Sequence, residues 1–258
     1  MKRTLVIINT LALLATIAIN YLSNTGFFNG NTMSTISGRY ENYFTPAGYA
    51  FSIWGLIYLG LAAFIVYSWR SLRDRESTWI ENIGWWFLIS CIANSLWIVA
   101  WLNDQLGLSV LLMITLFISL FMIVLNTGIG GRGKPVKTLL FIHWPFSIYF
   151  GWVSVAMIAN IAVYLTKAGW DGWGIPETNW TIIMVCVAGL VNIAMIWTKR
   201  LYAFGLVGVW ALLAIAASNK ESESTDAIVT TCYVVAGLLI LFIAVRIFMS
   251  QNQAKRLA

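Results

Sequence analysis

Residues 138–166 read TLLFIHWPFSIYFGWVSVAMIANIAVYLT, 29 consecutive positions without Asp, Glu, Lys or Arg. A helix that crosses the hydrocarbon of a bilayer needs about 20 mostly apolar residues, at about 1.5 Å of rise each. This run is long enough with residues to spare. Seven further stretches of 19 residues or more also lack all four charged types: 4–38, 42–69, 82–103, 105–131, 178–198, 201–219 and 227–245. The chain has 258 residues, of which 60% are hydrophobic and 10% charged. A soluble domain carries about 25% charged residues, and a water-soluble core of this size cannot hide so large an apolar excess. The expected fold is therefore an all-α polytopic membrane protein. Its eight spans fall near 4–22, 48–69, 83–102, 105–128, 138–164, 179–198, 201–218 and 227–248. The second half of the first gap, SNTGFFNGNTMSTISG (23–38), is polar and Gly-rich and reads as loop.

The basic residues set the expected orientation, because cytoplasmic loops are enriched in Lys and Arg. With the N-terminus inside, Lys2, Arg3, Arg70, Arg73, Arg75, Arg132, Lys134, Lys137, Lys199, Arg200, Arg246, Lys255 and Arg256 fall on the cytoplasmic side. Only Arg39, Lys167 and Lys220 fall outside, a split of 13 to 3. The acidic residues divide the other way, three inside and seven outside. Localisation is expected in a bacterial inner membrane, with both termini cytoplasmic. MKRTLVIINTLALLATIAIN also has the basic start and apolar run of a signal peptide. The run is long and lacks a clean small-x-small site, so it reads as the first span. The net charge of +6 suits loops beside anionic lipid; no nucleic-acid partner is expected.

Reactive side chains are sparse. Cys91, Cys186 and Cys232 all fall within spans, without the spacing of a metal site, and read as small packing residues. GIGGRGKPVK (128–137) lacks the spaced GK[ST] of a phosphate loop and reads as flexible linker. IWGLIYLGLAA (53–63) and VWALLAIAA (209–217) share a Trp-led pattern, but no consistent repeat accompanies it, so a duplicated transporter has little support. His143 is the one histidine. It lies about 13 Å along its helix from Trp152 and reads as a structural, interfacial residue. No span carries a carboxylate or Lys in its interior, which counts against a proton pump or proton-coupled carrier and removes most acid–base chemistry. A binding protein is expected rather than an enzyme, with no catalytic residue assigned, no metal and no required cofactor.

The aromatic residues are distributed in two ways. Fourteen Trp are present. Trp69, Trp79, Trp85, Trp86, Trp101, Trp170, Trp173, Trp180 and Trp197 stand near span ends, where an interfacial belt accounts for them. Trp54, Trp97 and Trp152 lie deeper. Counted from the outer surface, Trp54 is at about 9 Å, Tyr58 about 15, Trp97 about 8, Asn94 about 12, Asn160 about 6, Ala156 about 12, Trp152 about 18 and Tyr149 about 22 Å. Three helices thus place these residues in the outer half of the membrane. Each set also forms one stripe: Trp54 and Tyr58 at i, i+4; Asn94, Trp97 and Trp101 at i, i+3, i+7; Tyr149, Trp152, Ala156 and Asn160 at i, i+3, i+7, i+11. An Asn in hydrocarbon faces the bundle interior, and its stripe-mates face inward with it. Two readings remain open on spacing alone: a ligand cavity walled by rings, or interhelical contact joined by Asn.

Three segments carry a resemblance to the TspO/MBR family, the tryptophan-rich sensory and translocator proteins. YFTPAGYAFSIWGLIY (43–58) resembles the family's second helix, with Pro46 eight residues before Trp54 and Tyr58 closing the motif. ANSLWIVAW (93–101) is similar to its third-helix motif through Asn94, Trp97 and Trp101. YFGWVSVAMIAN (149–160) is similar to its fifth-helix motif through Trp152, Ala156 and Asn160. The resemblance covers roughly 1–165. It departs at Ile148, where the family has proline, and at Pro46, which stands alone where the family has two prolines.

The resemblance implies a TspO-like five-helix bundle over 1–165 with three additional C-terminal transmembrane helices over 166–258. It implies a pocket closed by the loop between helices 1 and 2. Carried over by position, it puts the helix-2 Trp, helix-3 Asn and helix-5 Trp and Ala of that pocket at Trp54, Asn94, Trp152 and Ala156. The full expected set is Pro46, Trp54, Tyr58, Asn94, Trp97, Tyr149, Trp152, Ala156 and Asn160. The implied partner is a flat hydrophobic small molecule, of tetrapyrrole (porphyrin or haem), lipid or sterol-like kind. Membrane lipid surrounds the bundle, and a homodimer is an open assembly state. A transporter of such a ligand, or a membrane enzyme modifying it, are the rival classes.

Overall fold

The computed structural model describes residues 1–74, 77–131 and 133–255. Arg75, Arg132 and Arg256, three of the cations assigned to the cytoplasmic side, lie outside the described residues. Among the described residues there is no strand. The eight longest helices are α1 (Lys2–Ser23), α2 (Ile53–Arg70), α3 (Trp86–Leu102), α4 (Leu106–Thr127), α5 (Trp144–Lys167), α6 (Glu177–Lys199), α7 (Tyr202–Ser218) and α8 (Asp226–Lys255). Each falls on one of the uncharged stretches. Six of the helical segments are long and apolar enough to cross a membrane, and α3 and α7 are shorter apolar helices. At 17 residues each, α3 and α7 stand at the lower limit for a span.

The outer surface is apolar around the bundle. Leu11 and Leu14 on α1, Leu59 on α2, Leu111 on α4, Leu190 on α6 and Leu241 on α8 are all exposed. Their helices bury Leu13, Ile57, Leu116, Val185 and Leu239 on the opposite faces. In water such a coat would drive aggregation. In hydrocarbon it is the solvent-facing side, and the helices satisfy their own backbone groups. The protein is integral to a membrane.

Neighbouring helices build one continuous interior. α3 and α4 form a hairpin; α1 packs on α2 and α3, α4 on α5, and α7 on α5, α6 and α8. One cluster of buried apolar side chains draws on all eight helices. The joint between α5 and α7 is a close approach at Gly151. A Cβ there would meet Phe204 Cα, Phe204 O and Val207 Cβ, each at 3.1 Å. α5 is preceded by a π-helical turn, Leu139–His143. Pro145, in the first turn of α5, has no N–H to continue the ladder, and the widened turn absorbs the gap. Pro145 faces α2 at Gly60, where a Cβ would lie 3.2 Å from Pro145 Cβ.

Four local expectations are corrected. The loop after α1 contains a helix, Met33–Arg39, started by a capping box between Thr32 and Thr35. The linker reading of GIGGRGKPVK fails at its start: Ile129 is buried, and Gly130 sits at φ 88° with a hypothetical Cβ 1.6 Å from Lys199 O. Only glycine fits there. Cys91 and Cys232 are buried, but Cys186 is exposed on the lipid-facing side of α6 and fills no interior space. Trp101 is 5% exposed. It belongs to the interior and not to the interfacial belt, because its stripe with Asn94 and Trp97 outweighs its position at the helix end.

Candidate functional site

The three stripes meet. Trp54 of α2 stacks on Tyr58 (ring centroids 5.6 Å, interplanar angle 20°) and lies tilted against Trp97 of α3 at 6.3 Å. It meets Tyr149 and Trp152 of α5 edge-on at 5.9 and 6.5 Å. Trp97 in turn contacts Trp101 at 5.9 Å, and Phe51 closes on Trp152 at 6.0 Å. Offset and edge-on ring pairs of this kind contribute about 0.5–1.5 kcal/mol each beyond their area. Trp54 is only partly buried, and it touches four of the other rings, Tyr58, Trp97, Tyr149 and Trp152.

Polar atoms beneath and beside the rings are paired in two chains. In one, Asn20 Nδ2 donates to Asn94 Oδ1 (3.2 Å), and Asn94 Nδ2 donates to Tyr149 Oη (3.0 Å). In the other, Trp97 Nε1 donates to Asn160 Oδ1 (2.7 Å), and Asn160 Nδ2 donates to Ser109 Oγ (2.8 Å). Asn94 and Asn160 are thus inward-facing, as their spans required, and both are committed to protein partners.

A small cavity of about 40 Å³ lies above these chains. Of the expected residues, Pro46, Trp54, Trp97, Trp152, Ala156 and Asn160 line it. Tyr58, Asn94 and Tyr149 do not; they stand deeper, in the ring stack and the first polar chain. Sequence reasoning missed Ser37, Thr45, Val155 and Ala159 among its walls. Val155 and Ala159 flank the α5 stripe but have no side-chain chemistry to flag them. The volume admits a few water molecules at most, where ligand pockets span about 300–1,000 Å³. Two of its walls carry unsatisfied donors: Trp101 Nε1 and Trp152 Nε1 are buried and without a hydrogen-bond partner, as is Thr45 Oγ1. Buried polar atoms are nearly always paired, and water or another acceptor in the cavity would complete these groups.

The lip of the cavity, residues 42–50, is fastened to the C-terminal half of the chain. Tyr43 N donates to Glu177 Oε1 (3.1 Å), Asn219 Nδ2 to Tyr43 O (2.8 Å), and Ser218 Oγ to Thr45 O (2.7 Å). Ala47 N donates to Ala214 O at 3.0 Å. Trp210 Nε1 reaches Ala50 O at 3.3 Å. Four of the five partners lie on α7 or immediately after it. The other end of the loop is tied to the α3–α4 turn. Asp104 forms ion pairs with Lys167 (3.0 Å) and Arg39 (3.8 Å) and accepts from Tyr40 Oη (2.9 Å). Two of the three cations that the charge pattern assigns to the outer side are thereby used on one carboxylate. Burial alone would raise the Asp104 pKa, but hydrogen bonds from Lys167 and Tyr40 and the charges of Lys167 and Arg39 prevail and hold it below the ordinary carboxylate value.

His143 stands away from the rings. It is 4% exposed, and its Nδ1 accepts from Gly130 N at 3.4 Å, so it helps seat the α4–α5 loop. No cluster of three or more His, Cys, Asp or Glu suited to a metal occurs among the described residues.

Apolar helices around a ring-walled cavity define a polytopic helical membrane protein with an aromatic interior. The family model described as TSPO-like protein matches residues 6–245, and the chain belongs to that family. The match runs through α6 and α7 and into α8. Searches of curated proteins and of solved structures each return no match.

Proposed function

We propose that this is a membrane-embedded binding and sensory protein. It holds a flat, mostly apolar ligand of tetrapyrrole or lipid type among α2, α3 and α5. The observation that carries this reading is the pair of buried, unpartnered indole N–H groups, Trp101 Nε1 and Trp152 Nε1, on a cavity walled by rings. The ligand supplies the missing acceptor and stacks on Trp54 and Trp152. Entry enlarges the cavity by displacing Trp54, the partly buried ring of the cluster. Asn94 acts at one remove, by fixing Tyr149. In this reading residues 1–165 form the ligand-holding bundle and 166–258 hold its lip in place. The chain lies in a bacterial inner membrane with both termini cytoplasmic, as the 13 to 3 division of basic residues supports.

The test is quenching of tryptophan fluorescence by protoporphyrin IX dimethyl ester, a flat tetrapyrrole without charge. Trp152→Phe and Trp54→Phe each weaken binding by about tenfold, and Asn94→Ala weakens it less. Unchanged affinity in all three variants would sink the assignment. Flux of the same compound in proteoliposomes separates a carrier from a sensor.

A further inference from the structure

A second, polar cavity of about 540 Å³ lies beyond the lip. It shares Ser37, Thr45 and Pro46 with the small aromatic cavity, so these three side chains border both. Its walls carry three carboxylates, Glu41, Glu177 and Glu221, and no Lys or Arg. Among the described residues no ion pair involves Glu41, Glu177 or Glu221. Two of the outer-side cations are engaged with Asp104 instead, and Lys220 is not part of the wall. Glu177 uses Oε1 to accept from the Tyr43 backbone. Glu41 and Glu221 make no such bond.

We propose that the two cavities are one site, and that the polar one is a cation subsite: the ligand class is a flat ring bearing a protonated amine or other positive group. This rests on the pocket reading above. Three independent features favour it. The unpartnered Trp101 and Trp152 N–H groups line the inner cavity and leave room there for an acceptor on the ring, while the unpartnered Thr45 Oγ1 stands on the border shared with the vestibule. The vestibule has the volume of a ligand pocket, which the inner cavity lacks. Its charge is of one sign, so it concentrates cations at the mouth and repels anions. A ring with carboxylate arms meets that repulsion on its way in; a ring with ammonium arms is drawn to the same place.

One porphyrin ring in three charge states tests this. Protoporphyrin IX carries two carboxylates, its dimethyl ester none, and its bis(2-aminoethyl)amide two ammonium groups. Binding to the full chain in nanodiscs of zwitterionic lipid is read by tryptophan quenching. The expected order is ammonium, then ester, then carboxylate, with about tenfold between the extremes, shrinking as salt is added. Glu41→Gln with Glu221→Gln leaves the Glu177 bond to the lip intact and compresses the order severalfold, with the ester unaffected. Adding Glu177→Gln abolishes the order. Equal or tighter binding of the carboxylate form overturns the proposal, as does an order that survives the triple variant. Ester binding that still depends on Trp152 leaves the pocket reading standing in either case. If the ester does not bind, both fall.

Discussion

Asp104 sits at φ 59°, in the left-handed region that Asn and Asp tolerate better than other side chains. Asp104→Asn therefore keeps the turn and removes only the charge that gathers Lys167, Arg39 and Tyr40. Because the Asp104 pKa is depressed in the fold, its contribution is fully present above the ordinary carboxylate pKa of about 4. It is lost as pH falls through the lower folded value. Wild type should lose thermal stability in detergent as pH falls below about 4, and Asp104→Asn should show a shallower acid slope. At neutral pH the variant should be less stable by about 1 kcal/mol, since the partners are partly exposed. The stripes in the sequence placed Trp97, Asn94 and Asn160 on inward faces, and there they are. Periodicity fixes a face but not a neighbour. Nothing in the spacing told that Asn94 would be taken by Asn20, far away on α1, or that Asn160 would be taken by Ser109 on α4.

At the scale of the element, α7 matters through two contacts. Its N-terminal turns lie against Gly151 of α5, and its C-terminal end holds the lip through Ala214, Ser218 and Asn219. Gly151→Leu forces α7 away from α5, since Phe204 backbone atoms stand 3.1 Å from even a Cβ. The cost is about 1–3 kcal/mol. The variant should unfold at lower temperature, and its lip should exchange amide protons faster at Tyr43 and Ala47 than wild type does. Equal exchange at both amides would separate α7 from the lip. Uncharged stretches located all eight long helices, because bilayer thickness sets helix length, but not all of their ends: 4–38 runs past the end of α1 at Ser23, and 227–245 stops short of the end of α8 at Lys255. The Met33–Arg39 helix was illegible by that measure. It is short, polar and held by a capping box, with no hydrophobic period to announce it. The seat of Gly130 was hidden for a similar reason: a close backbone approach leaves no mark on a Gly-rich string.

The described residues contain eight long apolar helices, and eight crossings, an even number, would return the chain to its starting side. With cytoplasmic termini, the α7–α8 connection faces out and the α4–α5 loop faces in. In a chain with Cys186 replaced by Ser, Lys220→Cys should react with a membrane-impermeant maleimide on intact cells or spheroplasts, and Lys134→Cys only after lysis. The reverse pattern would invert the topology. The family motifs on α2, α3 and α5 were readable because they consist of Trp, Tyr, Asn and Pro. The family match extends much further, to residue 245. α6, α7 and α8 meet through small residues instead: Gly189 against Val235, Gly205 against Ile196, and Gly208 against Asn192. Such contacts specify close approach without a recognisable chemical string.

The bonds from Ala214, Ser218 and Asn219 to the lip have a thermodynamic corollary. A ligand that must spread residues 42–50 to enter works against the seating of α7. Coupling of this kind is reciprocal. A protein or lipid gripping α6–α8 from the bilayer would tighten or slacken the mouth, and occupancy of the mouth would alter the grip in return. On the proposed pocket reading, the last three helices would be a handle by which events elsewhere in the membrane reach the aromatic interior.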